Sequence, residues 1–342
     1  MRRAPGWIAA LALCAVAAAA HAADSVWVSN ERSGTVSVID CASDRVVATI
    51  ATGGRARGIQ ASPDGRRVYV AVSRRKDGSD PAFAEGILAI DARARRVEGL
   101  TAVGSDPEQF AVGGAPPALY ASNEDAGTAS ITELPSGRIV ATLLVGTEPE
   151  GVTLSPDGRW IYVTAETSNT VSVIDPRTRE VVSSFLVEAR PRHAAFSPDG
   201  RHAFVTAEVG RAVSAVDVAR HAVIGTFRFA QPDERPVGAV VSPDGDRLYV
   251  ATGRASRVAV LDVRDPAKLA LVAEVPVGGR PWGIALAAGG RKLYTANGTS
   301  NDVSVLDPAT LAPIATIPAG DGPWGLAVVH DDAAVDRSDA AR

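Results

Sequence analysis

Residues 149–187 read PEGVTLSPDGRWIYVTAETSNTVSVIDPRTREVVSSFLV and hold four short runs of β-branched and apolar residues, at 151–154, 160–164, 170–174 and 180–187. Turn chemistry separates them. Ser155-Pro156-Asp157-Gly158 combines a proline that fixes φ with a glycine that tolerates positive φ, and Asp175-Pro176 opens a later turn. Four short antiparallel strands joined by tight connections make one blade of a β-propeller.

The unit repeats along the chain. Trp27, Tyr69, Tyr120, Tyr162, Phe204, Tyr249 and Tyr294 occupy one equivalent position, at spacings of 42, 51, 42, 42, 45 and 45 residues. An acid follows each after 13 residues, except that Asp91 stands 22 after Tyr69, so that blade carries a nine-residue insertion within 73–86. The register predicts an all-β fold, a seven-bladed propeller of four-stranded antiparallel blades. Ala56, Pro107, Pro149, Pro191, Pro236 and Pro281 each open an innermost strand 13 residues before an aromatic. Pro323 opens one more, but no aromatic follows it, and Trp27 has no strand before it. The closing blade is therefore expected to be composite, its inner strand from the C-terminal end and three strands from residues 26–50. Such pairing leaves no open sheet edge at the seam.

Residues 1–22 read as a cleaved export signal: Arg2 and Arg3, an apolar run from Trp7 to Ala20, and the small-x-small sequence Ala20-His21-Ala22. The run is too short to span a bilayer comfortably, so no membrane insertion is expected. Leu13 before Cys14 argues against a lipoprotein signal. The expected organisation is a signal peptide at 1–22, the propeller at 23–331 and a disordered polar tail at 332–342, in a periplasmic protein cleaved near Ala22. Without Arg2 and Arg3 the chain holds 33 basic and 39 acidic residues, a formal charge of −6. That balance disfavours nucleic acid as a partner. Cys41 is the single mature cysteine, so no internal disulfide and no C-x-x-C-H haem attachment exists. No histidine pair has zinc-site spacing, and neither a nucleophile elbow nor a phosphate-binding loop occurs. No cofactor or metal site is detectable.

Antiparallel order puts the loop before each innermost strand and the loop between the second and third strands on one face. Around that rim the blades diverge. After the opening residue come Arg57, Glu108, Glu150, Arg192, Val237, Trp282 and Trp324. The next residue is glycine in five blades, but Gln109 and His193 in two. Four residues past the aromatic stand Glu31, Glu124, Glu166 and Glu208, with Gly253 and Gly298 in two later blades. Acids with Arg57, Arg190 and Arg192 fill one arc; Trp282 and Trp324 fill the other. Such a rim suits a small polar ligand with an apolar face, or a protein anchor. The alternative is structural: the charges pair across the channel mouth and the tryptophans cap the core. His193 reads as a hydrogen-bonded rim residue, with metal ligation or general-base catalysis as the functional alternatives. The repeated Ser-Pro-Asp-Gly turns and the acids near Asp40 and Asp175 are explained by turn hydrogen bonding.

The phrases YVTAETSNTVSVID (162–175), GSDPEQFAV (104–112), YASNEDAGTASI (120–131) and GPWGLAVV (322–329) resemble the YVTN-repeat β-propeller family. More narrowly, they resemble the propeller proteins associated with pyrroloquinoline quinone (PQQ)-dependent catabolism. That resemblance implies an exported accessory protein, its PQQ link at pathway level only, whose partner is a periplasmic quinoprotein dehydrogenase or its electron acceptor. With no catalytic motif to carry over, the expectation is a binding or scaffold protein rather than an enzyme. A cofactor carrier is a further reading. The enzymatic alternative is a lactonase acting in the central channel, with Glu108, Glu150, Arg192 and His193 supplying acid–base chemistry.

Overall fold

The structure is a computed structural model and describes residues 24–75, 78 and 82–330. The leader at 1–22, Lys76 and the tail at 332–342 lie outside the described residues. Within them the chain forms seven four-stranded antiparallel sheets. The reference blade runs Pro149–Leu154, Ile161–Ala165, Thr170–Asp175 and Glu180–Leu186, from the channel outward. The predicted runs sit within one residue or two of these strands.

The seam closes as its sequence demands. Pro323–Val329 pairs with Ser25–Asn30, and Thr35–Asp40 and Arg45–Ala51 complete that sheet. Trp27 stands opposite Ala327 on one side and Val38 on the other. Asp24 strengthens the seam, receiving the Ala288 N–H at 2.7 Å and meeting His330 Nδ1 at 2.9 Å.

The hydrophobic core is a set of layers between blades rather than one central mass. Successive side chains of a strand point to opposite faces. Thus Val26 and Val28 pack with Tyr294, Ala296 and Val303 of the preceding blade. Trp27, between them in sequence, packs with Ile59, Val68 and Val70 of the following one. All seven register aromatics are buried in such layers. Fourth strands face solvent on the outside of the ring, which is why Val46, Ile139 and Leu271 are exposed there.

The aligned acids act at turns: Asp40, Asp91, Asp175, Asp217, Asp262 and Asp307 each accept a backbone N–H two or three residues on. Glu133 differs, pairing with Arg138 and Arg179 instead. In the 73–86 segment, Phe83 packs against the core layer of the first two blades. Arg75 donates to the Arg32 carbonyl at 2.8 Å. This arginine is tied down, not simply solvated as a charged loop residue would be.

Candidate functional site

Crowding around the axis explains the glycines. Innermost strands of neighbouring blades lie side by side, and each glycine after the rim residue faces the next blade's backbone. A Cβ on Gly58, Gly283 or Gly325 would stand 2.8, 2.6 or 2.9 Å from the carbonyl oxygen of Glu108, Trp324 or Arg57. Gly151 and Gly238 face the Arg192 and Trp282 carbonyls in the same way. Hydroxyls on the second strands staple the ring further. Ser122 Oγ donates to the Glu150 carbonyl at 2.8 Å and Thr164 Oγ1 to that of Arg192 at 3.2 Å. Only at Gln109 and His193 does this ring of positions put a polar side chain into the channel.

The rim charges assemble into two clusters built alike. In the first, Arg55 reaches Glu31 at 3.1 Å, Asp106 at 3.5 Å and Glu108 at 3.9 Å. Arg57 holds Glu31 at 3.0 Å, contacts Glu108, and lies 4.0 Å from Glu124. In the second, Arg190 reaches Glu166 at 2.7 Å and Glu208 at 3.6 Å. Arg192 holds Glu150 at 3.1 Å, contacts Glu166, and lies 3.8 Å from Glu208. Each centre is an arginine–x–arginine pair, Arg55-Ala56-Arg57 or Arg190-Pro191-Arg192. Glu108, Glu150, Glu166, Glu208 and Arg192 are all buried. Burial pushes the Glu31 carboxyl up, but the Arg57 and Arg55 guanidinium groups outweigh it and hold it below its ordinary value.

Arg192 joins this charge to the aromatic arc. Its guanidinium lies 5.2 Å from the Trp282 ring centroid, and that of Arg280 lies 4.6 Å from it. Trp282 stacks on Trp324, with centroids 6.4 Å apart and planes 20° apart. Glycine at 298 makes this possible, because a Cβ there would stand 2.7 Å from Trp282 Cδ1. Where other blades place a glutamate, this one leaves room for an indole.

Within the ring of innermost strands lies a cavity of about 90 Å³. Of the predicted rim residues it gathers Glu150, Arg192, His193, Trp282 and Trp324. Glu166 and Glu208 stand behind Arg192, while Arg57, Glu31, Glu108 and Glu124 form the separate first cluster and do not line it. Gln60 and Gln109 complete the polar lining. His193 is enclosed enough that burial drives its imidazole down from 6.5 to about 4, with a hydrogen bond to the Ala239 backbone pulling weakly the other way. It is neutral at neutral pH.

Sequence reading missed Arg55, Asp106 and Arg280, which directly precede the opening residue of their strands. Asp106 and Arg280 hold positive φ, 42° and 53°, a conformation rare enough outside glycine to mark specialised backbone. The rim charges do pair with one another, as the structural alternative had it, and Trp324 is buried. Of those pairs, only Arg192 with Glu150 has both partners in the cavity lining.

Fold and site together define a seven-bladed propeller with a polar–aromatic cavity on its axis. The model of the family described as "Lactonase, 7-bladed beta-propeller" matches residues 178–310. No curated protein matches the chain. Among solved structures, the periplasmic gluconolactonase PpgL of Pseudomonas aeruginosa is similar at 19% identity and a TM-score of 0.75, over 90% of this chain and 99% of that one. A candidate 6-phosphogluconolactonase of Bacteroides fragilis NCTC 9343 is similar at 19% identity and 0.75, over 91% and 99%. Hydrazine synthase of Kuenenia stuttgartiensis is similar at 23% identity and 0.68, over 80% and 89%. At these identities the structural likenesses establish the fold. The expectation of a non-enzymatic scaffold accessory to PQQ-dependent alcohol catabolism is corrected by these findings. The matching family is one of lactonases, and lactonases recur among the similar structures, which favours the enzymatic alternative. That expectation rested on the lack of a sequence motif, and polar groups brought together from separate blades, as around this cavity, leave none.

Proposed function

We propose that this chain is a lactone-hydrolysing propeller enzyme whose reaction takes place in the axial cavity beside His193. The observation that carries the reading is a neutral, enclosed imidazole lining a cavity with Arg192, Gln109 and the Trp282 face. The imidazole faces the cavity, where one ring nitrogen accepts from a water molecule. His193 then takes a proton as that water adds to the lactone carbonyl. The Gln109 or Gln60 amide, or the Arg192 guanidinium, steadies the oxyanion that develops. The protonated imidazole returns the proton to the ring oxygen as the C–O bond breaks, giving a hydroxy acid. Water is consumed and no redox partner is required. Glu150 fixes the Arg192 guanidinium at the cavity wall.

Export to the periplasm on the leader at 1–22 accompanies this reading, and one similar structure is itself a periplasmic gluconolactonase. Among the described residues, no helix is long and apolar enough to cross a membrane. We read the repeat as the YVTN type, and the small polar ligand expected at the rim as the lactone.

The test is a pH-stat assay of the purified protein on a panel of five- and six-membered lactones, run across pH. We expect turnover whose kcat/KM is level above about pH 5 and falls below about pH 4, as His193 becomes protonated. Stability follows the same group. Its pKa is lower folded than unfolded, so His193 costs nothing above about 6.5 and destabilises the fold progressively as pH falls toward about 4. His193→Gln removes that portion of the acid loss. A protein inert on the whole panel overturns the reading.

A further inference from the structure

The two rim clusters are built alike but not balanced alike. Arg190 and Arg192 face three carboxylates, Glu150, Glu166 and Glu208, a formal −1. Arg55 and Arg57 face four, Glu31, Asp106, Glu108 and Glu124, a formal −2. Their hydrogen bonds are shared out unequally. Glu31 Oε1 accepts from Arg55 Nε and Nη2 at 3.2 and 3.1 Å and from Arg57 Nε at 3.0 Å. Asp106 Oδ1 accepts from Arg55 Nη1 at 3.5 Å. Glu108 is 0% exposed, and the Arg57 guanidinium touches one of its oxygens. Its other oxygen, Oε1, is sealed from solvent without a hydrogen-bond donor among the described residues, and Arg55 Nη2 stands 3.9 Å away. Glu124 Oε2 is likewise sealed and without a donor, 4.0 Å from Arg57 Nη1. A buried carboxylate oxygen that nothing solvates is costly, and two guanidinium groups cannot neutralise four carboxylates.

Three of these acids come from one blade. Asp106 directly precedes Pro107–Gly113, the strand that carries Glu108, and Glu124 directly follows Ala118–Asn123, which pairs with that strand. One carboxylate oxygen from each lies within 4.8 Å of the other two. We propose that Asp106, Glu108 and Glu124 form a calcium-binding site on the rim, outside the lining of the axial cavity. The site is independent of the lactonase reading. Its donors are all anionic oxygens, which suit a hard divalent cation rather than zinc or copper. The span of the oxygens then discriminates between hard cations. Ligands on opposite sides of Ca²⁺, at about 2.3–2.6 Å, lie about 4.6–5.2 Å apart, whereas Mg²⁺ draws them to about 4.2 Å or less. A dipositive ion cancels the formal −2 and gives the donorless oxygens of Glu108 and Glu124 a partner. Water from the channel mouth completes its shell.

The experiment is calorimetric titration of the chelator-stripped protein with CaCl₂ and, separately, with MgCl₂, the thermal midpoint being recorded at each concentration. We expect one Ca²⁺ per chain with a Kd of about 10⁻⁴–10⁻³ M, and Mg²⁺ bound about tenfold or more weakly. The midpoint should climb with Ca²⁺, because the ion binds only the folded chain. Glu124 has a side chain 25% exposed, so Glu124→Gln should keep the fold, read by circular dichroism, and weaken Ca²⁺ by about tenfold or more. Glu108→Gln should abolish binding; if it fails to fold, the Glu124→Gln titration decides. No saturable Ca²⁺ binding by the wild type up to about 10 mM overturns the proposal. So does an affinity that Glu124→Gln leaves unchanged, or Mg²⁺ bound as tightly as Ca²⁺.

Discussion

Replacing His193 with alanine is expected to lower kcat/KM for lactone opening by about 10²–10⁴-fold, the range typical of a lost general base. His193 stands alone as a base at its level in the ring of innermost strands. Five equivalent positions are glycine, pressed against a neighbouring carbonyl, so the alanine side chain leaves His193 without a substitute in its own layer. Gln109, the other polar side chain in that layer, carries an amide that cannot act as a base at neutral pH. The variant should remain folded, since the imidazole lines a cavity rather than filling a core layer. The thermal midpoint, read beside the rate, separates the two effects. A variant with unchanged turnover removes His193 from the chemistry and moves the search to Glu150.

A larger effect on stability is expected from ending the chain after Gly322. This removes Pro323–Val329, the inner strand of the composite blade. Trp324, Ala327 and Val329 lose their burial, and Ser25–Asn30 becomes an open edge beside the channel. Burying a large apolar side chain contributes about 1.5–3 kcal/mol. Several such losses, together with the ladder hydrogen bonds, rival the roughly 5–15 kcal/mol that holds a whole domain folded. The truncated chain should show no cooperative unfolding transition by circular dichroism and should aggregate. A soluble product melting within a few degrees of the full chain would show that the seam is dispensable.

How far the sequence speaks depends on the range of the physics involved. Blade number and closure were legible because they rest on local signals, repeated turns and a buried aromatic in fixed register, and on an innermost strand that is missing at the N-terminal end and supplied alone at the C-terminal end. The divergent rim was legible for the same reason: Glu166 and Gly298 occupy equivalent positions and can be compared directly. What those residues do was not legible. Arg57 is 51 residues from Glu108 in the chain, and only the angle between blades brings their side chains together. Arg55 and Arg280 escaped notice because they sit two places before the compared column, ahead of the opening residue. His193 showed only as a departure from glycine. Its neutral, buried state comes from the blades packed around it, and no single stretch of sequence encodes that.

Lactone chemistry in the axial cavity is tested most directly by a crystal structure of the protein with a non-hydrolysable lactam analogue of a sugar lactone. The analogue is expected on the axis, its ring along Trp282 and its carbonyl carbon within a water's reach of His193. An analogue seated outside the channel, or an axis left empty at saturating ligand, would contradict it.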